Sequence, residues 1–238
     1  MKKILIAITL LVFIVTACSP EFQPTEAPAE EGEPEVPTVE PEQSLDPVEE
    51  AVIKQLATNL TLKQSDISVV SNELTEFTDA CLGVVMEGAE CVELVTEGRT
   101  IVLEAKGIEY EYHASKDGDR IQPATLVLIW KREGGIAGFC DSLTIFLSGE
   151  VYGSQCRSEP NGAMATFATL FSASERKQFD AWASQFGDVT LDASDPKGVS
   201  DRMEVTLVLS GLGNGEPSTA QQQVLFTWAQ KLFQKLYS

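Results

Sequence analysis

Val52, Ile53, Leu56, Ala57 and Leu60 recur at the three- and four-residue spacing of one helical face, which predicts a helix ending near residue 60. Asp46-Pro47-Val48-Glu49 opens it with an N-cap, a proline in the first turn and an acidic side chain beside the positive helix end. The period then shortens. Ile67 and Val69 suggest a strand, and Thr100–Ala105 and Ile108–Ala114 alternate around Lys106-Gly107, a hairpin signal. A turn at Lys116-Asp117-Gly118-Asp119 closes this unit, read as a helix lying on a small antiparallel sheet.

The rest of the chain repeats that grammar. Thr125–Trp130 is apolar and strand-like, and Asp141–Leu147 and Glu150–Tyr152 make further strands around Ser148-Gly149. Ser172-x-x-Glu175 and Ser218-x-x-Gln221 have the spacing of capping boxes. The first of these helices is expected to bury Phe179, Trp182 and Phe186, the second Leu225, Trp228, Leu232 and Leu236. Between them Met203, Val205, Leu207 and Leu209 alternate as a strand. The expected class is α+β, with two small modules over residues 46–121 and 122–238, each an antiparallel sheet packed with helices.

The N-terminus follows neither period. Lys2-Lys3 precede a run from Ile4 to Thr16 that is apolar except for Thr9 and Thr16. Thirteen helical residues span about 20 Å, short of a hydrocarbon core of about 30 Å, so residues 1–17 read as a secretory signal peptide. The run ends Val15-Thr16-Ala17-Cys18, which resembles a bacterial lipobox. The resemblance implies cleavage after Ala17 and lipidation of Cys18, by palmitate among other acyl chains, giving lasting membrane attachment. The expected location is the extracytoplasmic side of the cell membrane or outer membrane. Ser19 after the cysteine resembles the outer-membrane-sorted kind in a two-membrane cell.

Seven of the eleven prolines and nine acidic residues fall in residues 19–48, with no Lys or Arg. Such a segment lacks the apolar surface to offset its ordering entropy, so residues 18–45 read as a lipidated cysteine and a disordered tether. Thirty such residues reach roughly 90 Å if polyproline-like and about 30 Å as a coil. The rival reading is a ligand for a proline-recognising module. Of the net charge of −19, residues 49–238 carry −12, which excludes nucleic acid as partner and disfavours anionic headgroups.

With Cys18 assigned to lipid, Cys81, Cys91, Cys140 and Cys156 remain. Three pairings exist. Local pairing, Cys81–Cys91 and Cys140–Cys156, matches the two modules, at about 3 kcal/mol per bridge by the chain-entropy argument. The short C-x₂₋₄-C knuckles of a Cys₄ metal site are absent.

Candidate chemistry is sparse. His113 is the single histidine, at a strand end, with no G-x-S-x-G elbow to accompany it. Gly211-Leu212-Gly213-Asn214-Gly215 has the wrong spacing for a dinucleotide fingerprint and reads as a strand-to-helix connection. Glu87, Glu90, Glu93 and Glu97 around Cys91, and Asp117 with Asp119, read as solvated acidic faces rather than acid/base pairs or a Ca²⁺ loop. Asn59-Leu60-Thr61 matches a glycosylation sequon to which we attach no role. No catalytic residue, metal or cofactor is assigned.

Two resemblances add to this. Asp79–His113, with Cys81-Leu82-Gly83, Cys91 and Tyr110-Glu111-Tyr112-His113, resembles a segment of uncharacterised exported bacterial proteins, which implies a module and no activity. In the second half, a strand leads into Arg132 and Gly134-Gly135-Ile136-Ala137-Gly138. A hairpin, an aromatic-striped helix, a loop holding Asp188, Asp192 and Asp195, a strand and a C-terminal helix follow. This order resembles the emfourin family of small metalloprotease inhibitors. Ile136 stands where an aromatic is usual, and Cys140 and Cys156 are additions. The resemblance implies a protein-binding module, with Arg132, Gly134, Gly135, Ile136, Ala137 and Gly138 as the contact residues and a protease as partner, while the glycines read equally as positive-φ turn or bulge positions. The alternatives are an envelope enzyme using carboxylate or Ser–Lys chemistry, and a purely structural lipoprotein. The oligomeric state is left open.

Overall fold

Asp46 accepts the Val48 N–H at 2.8 Å, and the Glu49 carboxylate accepts the Asp46 N–H in return, so α1 (Pro47–Leu60) starts on a complete capping box. Its buried stripe is Val48, Val52, Ile53, Leu56 and Ala57. The structure, a computed structural model, describes residues 46–155 and 165–237. The segments expected to be a signal peptide and a tether, Cys18 and Cys156 therefore lie outside the described residues.

Four antiparallel strands follow in a meander ordered as they occur: β1 (Ile67–Phe77), β2 (Thr96–Ala105), β3 (Ile108–Ser115) and β4 (Ile121–Pro123). The β2–β3 turn is Lys106-Gly107, both at positive φ (54° and 77°), as a two-residue primed turn requires. β1 forms one margin of this sheet and carries a bulge between Val69 and Ser71. β4, three residues ending at Pro123, forms the other.

The second sheet has six antiparallel strands in the order β8-β7-β6-β5-β10-β9. They are β5 (Leu126–Gly134), β6 (Phe139–Phe146), β7 (Glu150–Gln155), β8 (Ala165–Leu170), β9 (Asp188–Asp192) and β10 (Met203–Ser210). Between β8 and β9 runs α2 (Ala173–Gln185), and α3 (Thr219–Leu236) ends the fold; both have the capping boxes read from the sequence. Their aromatic side chains interlock. Trp182 meets Trp228 edge-on at 5.2 Å, Phe171 lies 4.9 Å from Phe179, and Phe233 packs 5.3 Å from Trp130 of β5. Gly153 on β7 has no Cβ where one would stand 2.5 Å from a Leu236 methyl, which lets α3 lie directly on the sheet.

The two sheets share one continuous apolar core, running from Val52 and Leu56 through Tyr112 and Leu143 to Phe179 and Leu225. Polar contacts also cross between the halves. Gln55 of α1 donates to Glu150 of β7 at 2.6 Å. Glu87 reaches the second sheet with its backbone: its N–H donates to Thr144 Oγ1 at 3.1 Å, and its carbonyl accepts from Ser142 and Ser154 at 2.9 and 3.2 Å. Strand alternation puts those three hydroxyls on the opposite face from Leu143, Ile145 and Gly153. The Glu87 carboxylate pairs with Lys131 at 2.6 Å.

Two expectations differ in detail. The stretch from Asp188 to Asp192, expected in a loop, is edge strand β9, paired to β10 from Asp188↔Ser210 to Asp192↔Thr206. In α3, Trp228 and Leu236 are only partly buried, while Ala229 and Phe233 are fully in the core.

Candidate functional site

The residues singled out at 132–138 form the end of the β5–β6 hairpin. Pairing continues to Gly134↔Phe139, and Gly138 N–H then donates to Gly135 O at 3.0 Å to close the turn. Gly134, Gly135 and Gly138 have φ of 81°, 70° and 61°, a region that side chains with a Cβ rarely occupy. Gly134 is constrained a second time, since a Cβ there would stand 2.5 Å from the Arg202 carbonyl. That carbonyl accepts the Gly135 N–H at 3.1 Å and ties the hairpin to the segment before β10. The glycines shape the tip. Ile136 is what it presents, at 92 % exposure, with Ala137 exposed beside it.

Arg132 does not reach outward. Its side chain is 15 % exposed, pairs through Nε and Nη2 with the 6 % exposed Asp141 carboxylate across the strand pair, and lies 3.9 Å over the Phe139 ring. Trp130 flanks it at 5.7 Å. The Asp141 charge also bears on Tyr237, whose phenol is pushed up to about 12 by burial first and by that carboxylate second. Arg132 therefore stiffens the base of the hairpin.

The adjoining segment is ordered by its own acids. Asp195 accepts the Met203 N–H at 2.9 Å, its carbonyl accepts from Arg202 Nε at 2.8 Å, and Arg202 pairs with Glu204. The Ser194 hydroxyl and N–H hold the Asp192 carboxyl below the usual range. Val199 of this loop is half exposed.

The other candidates are engaged structurally. His113 Nδ1 meets Leu82 O at 2.6 Å, its Nε2 meets Glu111 Oε1 at 2.8 Å, and its ring lies 4.8 Å from Phe77. Asp79, Cys81 and Cys91 converge, but the two sulfurs form a disulfide, and Asp79 Oδ1 accepts the Cys81 and Gly83 N–H groups at 2.8 and 3.0 Å. A bridged sulfur is not the thiolate a metal binds. Cys140 is also in a disulfide. In the glycine-rich segment after β10, Leu212, Gly213 and Gly215 donate their N–H groups to Ala183, Phe186 and Gln185 carbonyls at 2.6–3.0 Å. Those amides finish the C-terminus of α2, so none is turned toward a phosphate. Asp117 accepts from the Ser115 hydroxyl at 2.6 Å, which holds its carboxyl low and closes the β3–β4 turn.

One cleft of about 210 Å³ opens between the halves, lined by Leu60, Lys106, Tyr110, Arg176, Asp180 and Ser184 among others. Arg176 is paired within α2 to Asp180 at 2.8 Å, and the Ser184 hydroxyl donates to the Asp180 carbonyl one turn back. Burial pushes the Tyr110 phenol up. Asp180 is the one carboxylate among its lining residues.

The fold and site thus define an α+β protein of two antiparallel sheets with a rigid, apolar-tipped hairpin. A family model described as a domain of unknown function (DUF8738) matches residues 49–123, from the first turn of α1 to the end of β4. No curated protein and no solved structure matches the chain. Among the described residues, no helix is long and apolar enough to cross a membrane.

Proposed function

We propose that this chain is a lipid-anchored protein of the bacterial cell envelope whose folded part binds another protein through the β5–β6 hairpin tip, with a metalloprotease as the partner class. The observation that carries the reading is the combination at the tip. Ile136 is 92 % exposed on a turn whose base is braced by the Arg132–Asp141 pair and whose side is pinned by Gly135 to Arg202. An exposed apolar side chain on a rigid support loses little conformational entropy on docking, which is what an inhibitory or adaptor contact needs. The resemblance of this half to small metalloprotease inhibitors supports the choice of partner, and the lipobox supports the anchor.

The test is inhibition of a thermolysin-type protease on a peptide substrate by the full chain, with Ile136→Ser alongside. Inhibition by the parent chain and its loss in the variant is the expected result. Absence of both inhibition and complex formation across a panel of such proteases overturns the proposal. Incorporation of labelled palmitate, abolished by Cys18→Ala, checks the anchor independently.

A further inference from the structure

The acidic residues of the folded part are not spread evenly. From Gln64 to Gly98 the chain holds eight Asp and Glu and not one Lys or Arg. Near the end of that stretch, in the segment joining the disulfide loop to β2, Val92, Leu94 and Val95 are 69, 58 and 63 % exposed. Three exposed apolar side chains within four residues make a local apolar patch, and such patches mark sites of association.

This segment is held in place. The Cys81–Cys91 bridge fixes its start, the Ala80 N–H donates to Val92 O at 2.9 Å, and the Thr96 hydroxyl donates to Leu94 O at 2.9 Å. Thr78, Asp79, Cys91, Glu93 and Val95 line a shallow open groove beside it. Of the nearby carboxylates, Glu87 pairs with Lys131 and Glu97 with Lys116. Glu90 and Glu93, both exposed, have no ion-pair partner among the described residues.

Charge decides what can cover such a surface. A second copy docking symmetrically through this strip would bring Glu90 and Glu93 against their own kind, and an anionic bilayer would also oppose them. A peptide segment carrying Lys or Arg among apolar residues would neutralise both carboxylates while covering the three apolar side chains. We infer that Val92, Leu94 and Val95, with Glu90 and Glu93, form a docking strip for a cationic, apolar-rich segment of a partner protein. This surface belongs to the half matched by the family model, and it acts independently of the Ile136 tip.

The experiment uses the full chain and two synthetic peptides, one alternating lysine with valine and leucine, the other alternating glutamate with the same apolar residues. Fluorescence anisotropy should show binding of the lysine peptide alone, weakening as salt is raised. Glu90→Gln with Glu93→Gln should weaken it about three- to tenfold, in keeping with exposed ion pairs. Val92→Ser with Leu94→Ser should weaken it about tenfold and leave the salt dependence in place. Ile136→Ser should leave peptide binding unchanged, so this result stands or falls separately from protease inhibition. Near-ultraviolet circular dichroism checks that each variant is folded, and the charge-only pair keeps the test valid if the serine pair is not. Failure of the lysine peptide to bind, equal binding of the glutamate peptide, or undiminished binding by both double variants overturns the inference. So does either of two other results: co-sedimentation of Cys18→Ser with phosphatidylglycerol vesicles, or self-association in the ultracentrifuge, that the valine–leucine substitutions abolish.

Discussion

Gly134–Gly138 and Gly211–Gly215 have nearly the same composition, and each connects two elements of the second half, yet their amides and their surroundings differ. At the hairpin tip the glycines are needed for positive φ, and a Cβ at Gly138 would meet nothing within 4 Å. After β10 they are needed for closeness. A Cβ at Gly211 would stand 2.1 Å from Phe186 O, and one at Gly213 2.4 Å from Gln185 O. One segment is shaped so that its side chains face solvent; the other is a plug seated on the end of α2. Glycine content alone therefore says nothing about ligand binding; what matters is whether the N–H groups already have acceptors.

That contrast predicts an order of effects. Gly213→Ala should cost most, about 3 kcal/mol or more in urea denaturation, because backbone carbonyls of α2 cannot move aside as a flexible side chain could. A loss below about 1 kcal/mol would show that the segment is not a plug. Asp141→Ala should come next, at about 3 kcal/mol, since it strands a largely buried Arg132 without its counter-charge. Gly138→Ala should cost about 1 kcal/mol, the strain of a left-handed residue in open space. Ile136→Ser should change stability by less than about 0.5 kcal/mol while removing partner binding. If Ile136→Ser proved as destabilising as Asp141→Ala, the tip would be part of the fold rather than a presented surface.

The sequence was most informative where local chemistry decides structure. Asp46, Ser172 and Ser218 each begin a helix because a capping box is complete within four residues, and Gly107 marks the β2–β3 turn because it takes positive φ without strain, with the Glu104 carboxylate accepting its N–H. It was least informative where an element exists only through its neighbours. β9 is five residues with acids at both ends and one buried side chain, Leu191, so its strand character comes from β10. β4 and β8 were not foreseen for the same reason, being short additions to sheet margins. At the site, Arg132 was expected among the contact residues, but its partner Asp141 lies nine positions away across a strand pair, and pairing draws it inward. In the sequence Glu87 is one carboxylate of an acidic face. Its backbone docks against Ser142, Thr144 and Ser154, a role that side-chain chemistry does not advertise.

The margins of the four-stranded sheet carry one more consequence. β1 is interrupted by the bulge at Val69–Ser71, and β4 stops after three residues at a proline. The bulge bends one border and the proline removes a donor from the other, and both weaken the row of N–H and C=O groups that templates stacking into fibrils. A molecule crowded at high density would collide with its own copies continually, and these blunted borders let such encounters end without zippering.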